Sequence, residues 1–303
     1  MIRLQNVEKR FGDRLAVDDL TLSVSRGDIF GLLGHNGAGK STAIGMMLGQ
    51  VWPTGGQVTV CGYEVTSNRA RALQKVGAIF ETPAFYEYLS GWRNLEILTH
   101  YTAPTPGARI REVVDWVGLT GREHSSVRTY SHGMRARLAL AQALLPNPEL
   151  LILDEPGEGL DPEGIHEMRQ TILRLHREMG LTILLSSHLL TEVEQLCTSV
   201  AVMNTGRKVF EGRVAEIKSA RGRVALRTPD FARAAALLRE QGLIAGAAGG
   251  RFIELKDGAS TAEVTRALVV AGIAVVGIWH HQQTLEDFYL ELVKPPSAPA
   301  NPD

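Results

Sequence analysis

Along about the first sixty residues polar and apolar positions alternate, as in TLSVSRG (21–27) and GQVTVCG (56–62). That period predicts half-buried antiparallel strands. A second pattern is interleaved with it: short, wholly apolar runs bounded by turn residues, DIFGLLG (28–34), VGAIF (76–80), ELLILD (149–154) and LTILLSSH (181–188). Runs of this kind suit strands covered on both faces, hence a parallel sheet with crossover helices. Residues from about 85 to 145 break the rhythm with helical patterns in WRNLEILTHY and ARIREVVDWVGL, which predicts a helical insertion into an α/β domain.

The insertion closes on TYSHGM (129–134) followed by RARLALAQALL. Ser131 can cap a helix there, and Met134, Leu138, Ala141 and Leu145 fall on one helical face. Gly133 lets a ligand approach the backbone of the first turn, whose bare N–H groups and positive dipole end suit an anion.

After VAVMNTGRKVFEGRVAEI (200–217) the composition shifts to Ala, Gly and Arg. From about 222 the pattern predicts strand (RVALRT), helix (FARAAALLREQG), two short strands around GGRFIELKDG, helix (STAEVTRALVVAG), strand (AVVGIWHH) and a closing helix (TLEDFYLELV). That order is a small split βαβ layer. The expected division is therefore a main domain over 1–221, an accessory α+β domain over 222–294, and a Pro-rich, disordered tail at 295–303. No internal repeat is visible.

Composition narrows the function classes. A chain of 303 residues with 44% apolar and 21% charged side chains is long enough for a well-filled core and two domains. Lys and Arg number 32 against 33 Asp and Glu, so there is no electrostatic case for a nucleic-acid partner. Cys61 and Cys197 stand far apart with no ligand-spaced partner, which argues against a disulfide framework or structural zinc and fits a reducing compartment. MIRLQNVEKRFG lacks the apolar core of a secretory signal. The most apolar window, 267–279, carries two glycines and is shorter than the roughly 18 to 20 residues that cross a bilayer.

The chemistry is concentrated at the ends of the apolar runs. GHNGAGKST, comprising Gly34, His35, Asn36, Gly37, Ala38, Gly39, Lys40, Ser41 and Thr42, matches G-x-x-x-x-G-K-[ST] between a strand and a helix. Its glycines let consecutive N–H groups wrap phosphates, Lys40 reaches the β- and γ-oxygens of a nucleoside triphosphate, and the Ser41 hydroxyl ligates Mg²⁺. In LLILDEP two adjacent carboxylates end a buried strand, where an unpaired charge is costly. Asp154 is expected to hold Mg²⁺ through its water shell and Glu155 to polarise the water that attacks the γ-phosphate. His188 ends LTILLSSH and is expected at the γ-phosphate side of the same crevice, because strand ends of such sheets converge. His280 and His281 have no comparable context.

The order phosphate loop, YSHGM helix start, LLILDEP, GLDP and SSH resembles the ATP-binding subunit of ATP-binding-cassette transporters over roughly residues 1 to 220. The resemblance implies a P-loop NTPase of the ABC ATPase type, with an antiparallel β subdomain and a helical insertion. It implies that Phe11 stacks on adenine, that Asp161 lies at a dimer seam, and that Tyr130 to Met134 stand for the family's LSGGQ-type signature. Two cassettes then pack head to tail, so Ser131, His132, Gly133 and Met134 of one chain meet the γ-phosphate held by the other. The cofactors implied are ATP and Mg²⁺.

Two departures mark a branch. His132 and Met134 stand where the family usually has Gly and Gln, and Glu81 stands at the place of the Q-loop glutamine, where it would offer Mg²⁺ a full carboxylate. Both resemble the branch of bacitracin-resistance and lantibiotic-immunity exporters, whose permeases are of the ABC-2 type. The expected protein is an ATPase that powers such a permease from the cytoplasmic face of the membrane, as a homodimer or beside a related cassette. The aromatic cluster Phe85, Tyr86, Tyr88, Leu89 and Trp92 is expected to meet the permease. The alternative, a soluble ABC ATPase acting on ribosomes or DNA, fits a single cassette without a heptad insertion and with balanced charge less well.

Overall fold

The computed structural model describes all residues except 81–82, 103–106, 220–222, 257, 282–283 and 294–303. The chain opens with two long strands, β1 (Ile2–Phe11) and β2 (Arg14–Val24), and a short buried strand, β3 (Ile29–Leu33), that leads through the phosphate loop into α1 (Lys40–Met47). β4 (Gly55–Val60), β5 (Tyr63–Glu64), α2 (Val65–Leu73) and β6 (Val76–Ile79) follow. The helical insertion holds α3 (Gly91–Thr102), α4 (Gly107–Trp116) and α5 (His132–Leu144). Then come β7 (Leu150–Asp154), α6 (Pro162–Met179), β8 (Thr182–Ser187), α7 (Leu190–Leu196), β9 (Ser199–Asn204) and β10 (Arg207–Arg213).

The two sequence patterns separate into two sheets. The alternating strands pair antiparallel in the order β2-β1-β4-β5, with Ile2 opposite both Val24 and Val60. The apolar runs form the parallel part of a six-stranded sheet ordered β10-β9-β3-β8-β7-β6, whose edge strand β10 alone runs antiparallel to its neighbour. Every residue of β3, β7 and β8 is buried, as strands covered on both faces must be. Helix α1 touches β2, β4 and β7, and with Ala43, Ile44, Met46 and Met47 buried it lacks the polar face of a surface helix. One core joins Leu4, Leu20 and Leu22 of the first sheet to Phe30, Ile152 and Leu184 of the second through this helix.

In the helical insertion α5 packs on α3, α4 and β6, and Tyr130, just before it, is buried with its hydroxyl donating to the Arg122 carbonyl at 2.8 Å. A Cβ on Gly91 would stand 2.4 Å from that hydroxyl oxygen, so the start of α3 closes on Tyr130 only as glycine.

A second compact unit spans Val214–Lys294. It contains α8 (Val214–Ser219), β11 (Arg223–Arg227), α9 (Phe231–Glu240), β12 (Ile244–Ala248), β13 (Phe252–Leu255), α10 (Thr261–Val270), β14 (Gly277–His281) and α11 (Leu285–Val293). Its sheet, ordered β12-β13-β11-β14, is antiparallel throughout and is the split βαβ layer that the residue pattern predicts. Val224, Leu238, Ile253, Val264 and Leu268 fill the space between this sheet and α9 and α10. A capping box starts α10, with the Ser260 hydroxyl accepting from Glu263 N while the Glu263 carboxylate accepts from Ser260 N. The unit begins before the boundary expected at 222, because α8 packs against the closing helix α11. The tail expected to be disordered lies outside the described residues. Among the described residues no helix is long and apolar enough to cross a membrane.

Candidate functional site

The phosphate loop leaves β3 and enters α1 with its conformation set by glycine. Gly39 has φ +104°, and a Cβ there would meet the Ala16 carbonyl oxygen at 2.7 Å, so a side chain is excluded on both counts. Ala38 is buried and joins the loop to its surroundings through its own carbonyl, which accepts from Gly206 N at 3.0 Å. His35 is exposed; its Nδ1 lies 2.7 Å from the Asn36 carbonyl oxygen and its Nε2 3.1 Å from Asn204 Oδ1 at the end of β9. Lys40 is 5% exposed, and Nζ donates to the Gly34 carbonyl at 2.8 Å.

The ends of β7 and β8 deliver the acidic cluster to the same place. Ser186 donates from Oγ to Asp154 Oδ1 and accepts there from Glu155 N at 2.9 Å, which fixes the strand end on which both carboxylates stand. Glu155 has φ +47°, a left-handed conformation that costs a non-glycine residue energy and that clusters at functional sites. Its two carboxylate oxygens face different partners. Oε1 lies 3.2 Å from Lys40 Nζ, and Oε2 lies 2.8 Å from His188 Nδ1 and accepts from His188 N at 3.3 Å. The largely buried Lys40 and Glu155 thus neutralise one another, which is what burial demands of two opposite charges.

These groups open onto a cavity of about 810 Å³. The phosphate loop lines it through Asn36, Gly37, Gly39, Lys40, Ser41 and Thr42, the sheet through Asp154, Glu155 and His188, and α5 through His132 and Arg135. The Ser41 hydroxyl and the Asp154 carboxylate, both lining the cavity, are hard oxygen donors of the kind that suits Mg²⁺. At the start of α5 the Ser131 Oγ accepts from Met134 N at 3.2 Å as an N-cap. A Cβ on Gly133 would meet only Ser131 Oγ, at 3.9 Å, so none of the described residues demands glycine there.

Other sequence-predicted residues fall differently. Phe11 is half exposed at the end of β1, with Lys9 Nζ 4.8 Å from its ring centre, and is not on the cavity wall, although Arg14, its cross-strand neighbour, is. Asp161 caps α6, its Oδ1 accepting from Gly164 N at 3.0 Å. Glu81 lies outside the described residues. The aromatic cluster expected on one docking surface divides: Phe85 lines the cavity and Trp92 packs on the His124 ring at 5.6 Å. Tyr86 and Tyr88, 48% and 77% exposed and in edge-to-face contact, face outward, and Leu89 beside them is half-buried.

Several residues at the site escaped the sequence reading. Ser186 could have been suspected as a hydroxyl inside an apolar strand; Arg14 and Arg135 gave no signal among ordinary surface arginines. Arg135 Nη1 lies 2.6 Å from Glu87 Oε1, and the Glu87 carbonyl accepts from Ser126 Oγ and Arg128 N at 2.7 and 2.9 Å. The loop bearing Tyr86 and Tyr88 is therefore tied to the first turn of α5.

Residues 17–158 match the family described as ABC transporter. The chain is similar to the ABC transporter ATP-binding protein YhcH of Bacillus subtilis (strain 168), with 45% identity over 69% of this chain and 68% of that one. It is similar along nearly its whole length to the bacitracin transport ATP-binding protein BcrA of Enterococcus faecalis, with 36% identity over 97% of this chain and 96% of that protein. Among solved structures, an ATP-binding subunit of an ABC transporter superposes with a TM-score of 0.64 at 28% identity, covering 73% of this chain and 92% of its own.

Proposed function

Since this chain belongs to the ATP-binding subunits of ABC transporters, we propose that its ATPase activity drives a separate ABC-2-type permease exporting a drug, peptide antibiotic or lipid-like compound. The observation that carries the export reading is the relatedness to the bacitracin transport protein, which runs through the second unit as well as the first. The subunit works at the cytoplasmic face of the membrane, held there by the permease.

In this reading Lys40 and the loop from Gly34 to Thr42 hold the phosphates, and Phe11, off the cavity wall but the cross-strand neighbour of the cavity-lining Arg14, is the ring offered to an adenine that extends beyond it. Ser41 and Asp154 would hold Mg²⁺, which would screen the phosphate charge, and Glu81 would add a carboxylate to it. Glu155 takes the proton of the attacking water and His188 steadies Glu155 and the γ-phosphate. Each chain carries a phosphate loop and an open Ser131–Gly133 helix start, which supports a head-to-tail homodimer with two equivalent sites and Asp161 at its seam.

Tyr86 and Tyr88 are the surface offered to the permease, since exposed aromatic anchors are typical of interface hot spots. The test is ATPase stimulation by a candidate ABC-2-type membrane protein that co-purifies with this chain, reconstituted in vesicles, for the natural chain and for Tyr88→Ala. Stimulation that Tyr88→Ala weakens while basal turnover persists is expected. Absence of stimulation by that membrane protein, together with co-purification of ribosomes, would overturn the transporter reading.

A further inference from the structure

Glu192, on α7, belongs to none of the motifs, yet it lies against the turn that carries the catalytic carboxylate. A Cβ placed on Gly157 would stand 3.2 Å from Glu192 Oε2 and 3.5 Å from Oε1, so the carboxyl group fills the space that a side chain at 157 would take. Gly157 is in the middle of a turn closed by Glu158 N donating to the Glu155 carbonyl at 3.0 Å and Leu160 N to the Gly157 carbonyl at 3.2 Å. Oε1 is buried with no hydrogen-bond partner among the described residues. A buried unsatisfied oxygen is costly, and an apolar side chain would pack the same space without it, so its presence asks for a reason.

The charges around it supply the context. Burial raises the Glu192 carboxyl above the ordinary carboxylate range, and the Glu155 charge adds to that, while Arg169 from α6 and His188 oppose it. Glu192 is thus electrostatically within reach of both members of the Glu155–His188 pair. Lys40 and His188 hold Glu155 from the cavity side, and Glu192 backs the turn that bears it.

We propose that Glu192 is a positioning residue for ATP hydrolysis: it fixes the main chain of the 155–159 turn and thereby sets the reach of Glu155 toward the attacking water. Gly157 is bare to admit the carboxyl group, and an acceptor oxygen with no partner among the described residues is placed to take a turn N–H when nucleotide draws Lys40 away from Glu155. The inference rests on the ATPase activity alone and is independent of the permease.

The experiment is steady-state hydrolysis and separate MgATP binding by the full-length chain carrying Glu192→Ala, Glu192→Met, Glu192→Gln, Gly157→Ala and the Gly157→Ala/Glu192→Ala pair. A displaced base loses about tenfold or more in kcat, so Glu192→Ala and Glu192→Met are expected to show that loss with KM and MgATP affinity held. Glu192→Gln, which keeps an acceptor oxygen and the shape, recovers most of the turnover. Gly157→Ala mimics Glu192→Ala, and the double variant is no worse than either single one, because both disturb one contact. Full turnover in Glu192→Met would overturn the proposal, since packing alone would then suffice. So would parallel loss of MgATP binding and kcat, or multiplicative losses in the double variant.

Discussion

At the phosphate loop Lys40 is buried and its ammonium engages the Gly34 carbonyl and Glu155, whereas at the start of α5 His132 lines the cavity and a Cβ on Gly133 would have only Ser131 Oγ near it, at 3.9 Å. Both places offer backbone N–H groups at the start of a helix to an anion. They differ in how they stand ready. The loop carries its own ion pair between Lys40 and Glu155; in the proposed reaction a triphosphate takes Lys40 from Glu155 and so releases that carboxylate toward the attacking water. The helix start is capped by the neutral Ser131 hydroxyl on Met134 N and held from outside, through the half-exposed Arg135–Glu87 pair. In the proposed reaction the first arrangement couples binding to activation within one chain, and the second answers to a neighbouring chain and to the loop of Tyr86 and Tyr88.

Glu155→Gln strikes the comparison hardest. Loss of the general base should cut hydrolysis by about 10²–10⁴-fold. Because the neutral amide competes less for Lys40, nucleotide titration should also show tighter MgATP binding, and sizing should show a dimer that reverts when nucleotide is removed. Weaker binding instead would mean that Glu155 presents Lys40 rather than restraining it.

Gly133→Val probes the open end. None of the described residues crowds Gly133, so folding and MgATP binding should persist. Hydrolysis should fall on the order of 10²-fold if a phosphate from a second chain must approach that backbone. Wild-type turnover would place the helix start outside the reaction.

A smaller effect is expected at the tether. An exposed ion pair is worth about 0.2–1 kcal/mol, which is roughly a 1.4- to 5-fold change, so Glu87→Gln and Arg135→Gln should each reduce permease-stimulated turnover by no more than that. A charge exchange, Glu87→Arg with Arg135→Glu, should restore much of the loss if the pair itself transmits. Additive losses in the exchanged protein would separate the loop from α5.

The smallest effect is on stability. Burial raises the Glu192 carboxyl, so the folded chain binds that proton more tightly than the unfolded chain does. The resulting penalty is absent below the unfolded carboxylate range, grows as pH rises through the folded value, and is complete above it. Thermal melts of Glu192→Gln against the natural chain should show a Tm difference that moves in favour of the variant over that interval and then levels. A difference independent of pH would mean that the carboxyl does not change protonation on folding.

The residue pattern alone determined the two sheets, the phosphate loop between β3 and α1, and the acidic and histidine strand ends, because each is written in a few consecutive residues. A period of two, a buried apolar run or GHNGAGKST carries its own local physical reason. That Asp154, Glu155 and His188 share one crevice was also legible, since adjacent parallel strands must end side by side. Tertiary structure decided the rest. Pairings such as Arg135 with Glu87, 48 residues apart, or Glu192 against Gly157, join side chains that no local period links. The division of the aromatic segment, with Phe85 on the cavity, Trp92 on His124 and Tyr86 and Tyr88 outward, likewise depends on which faces the packed helices leave free. Aromatic composition measures how much surface a segment can bury, and only the surrounding fold determines against what.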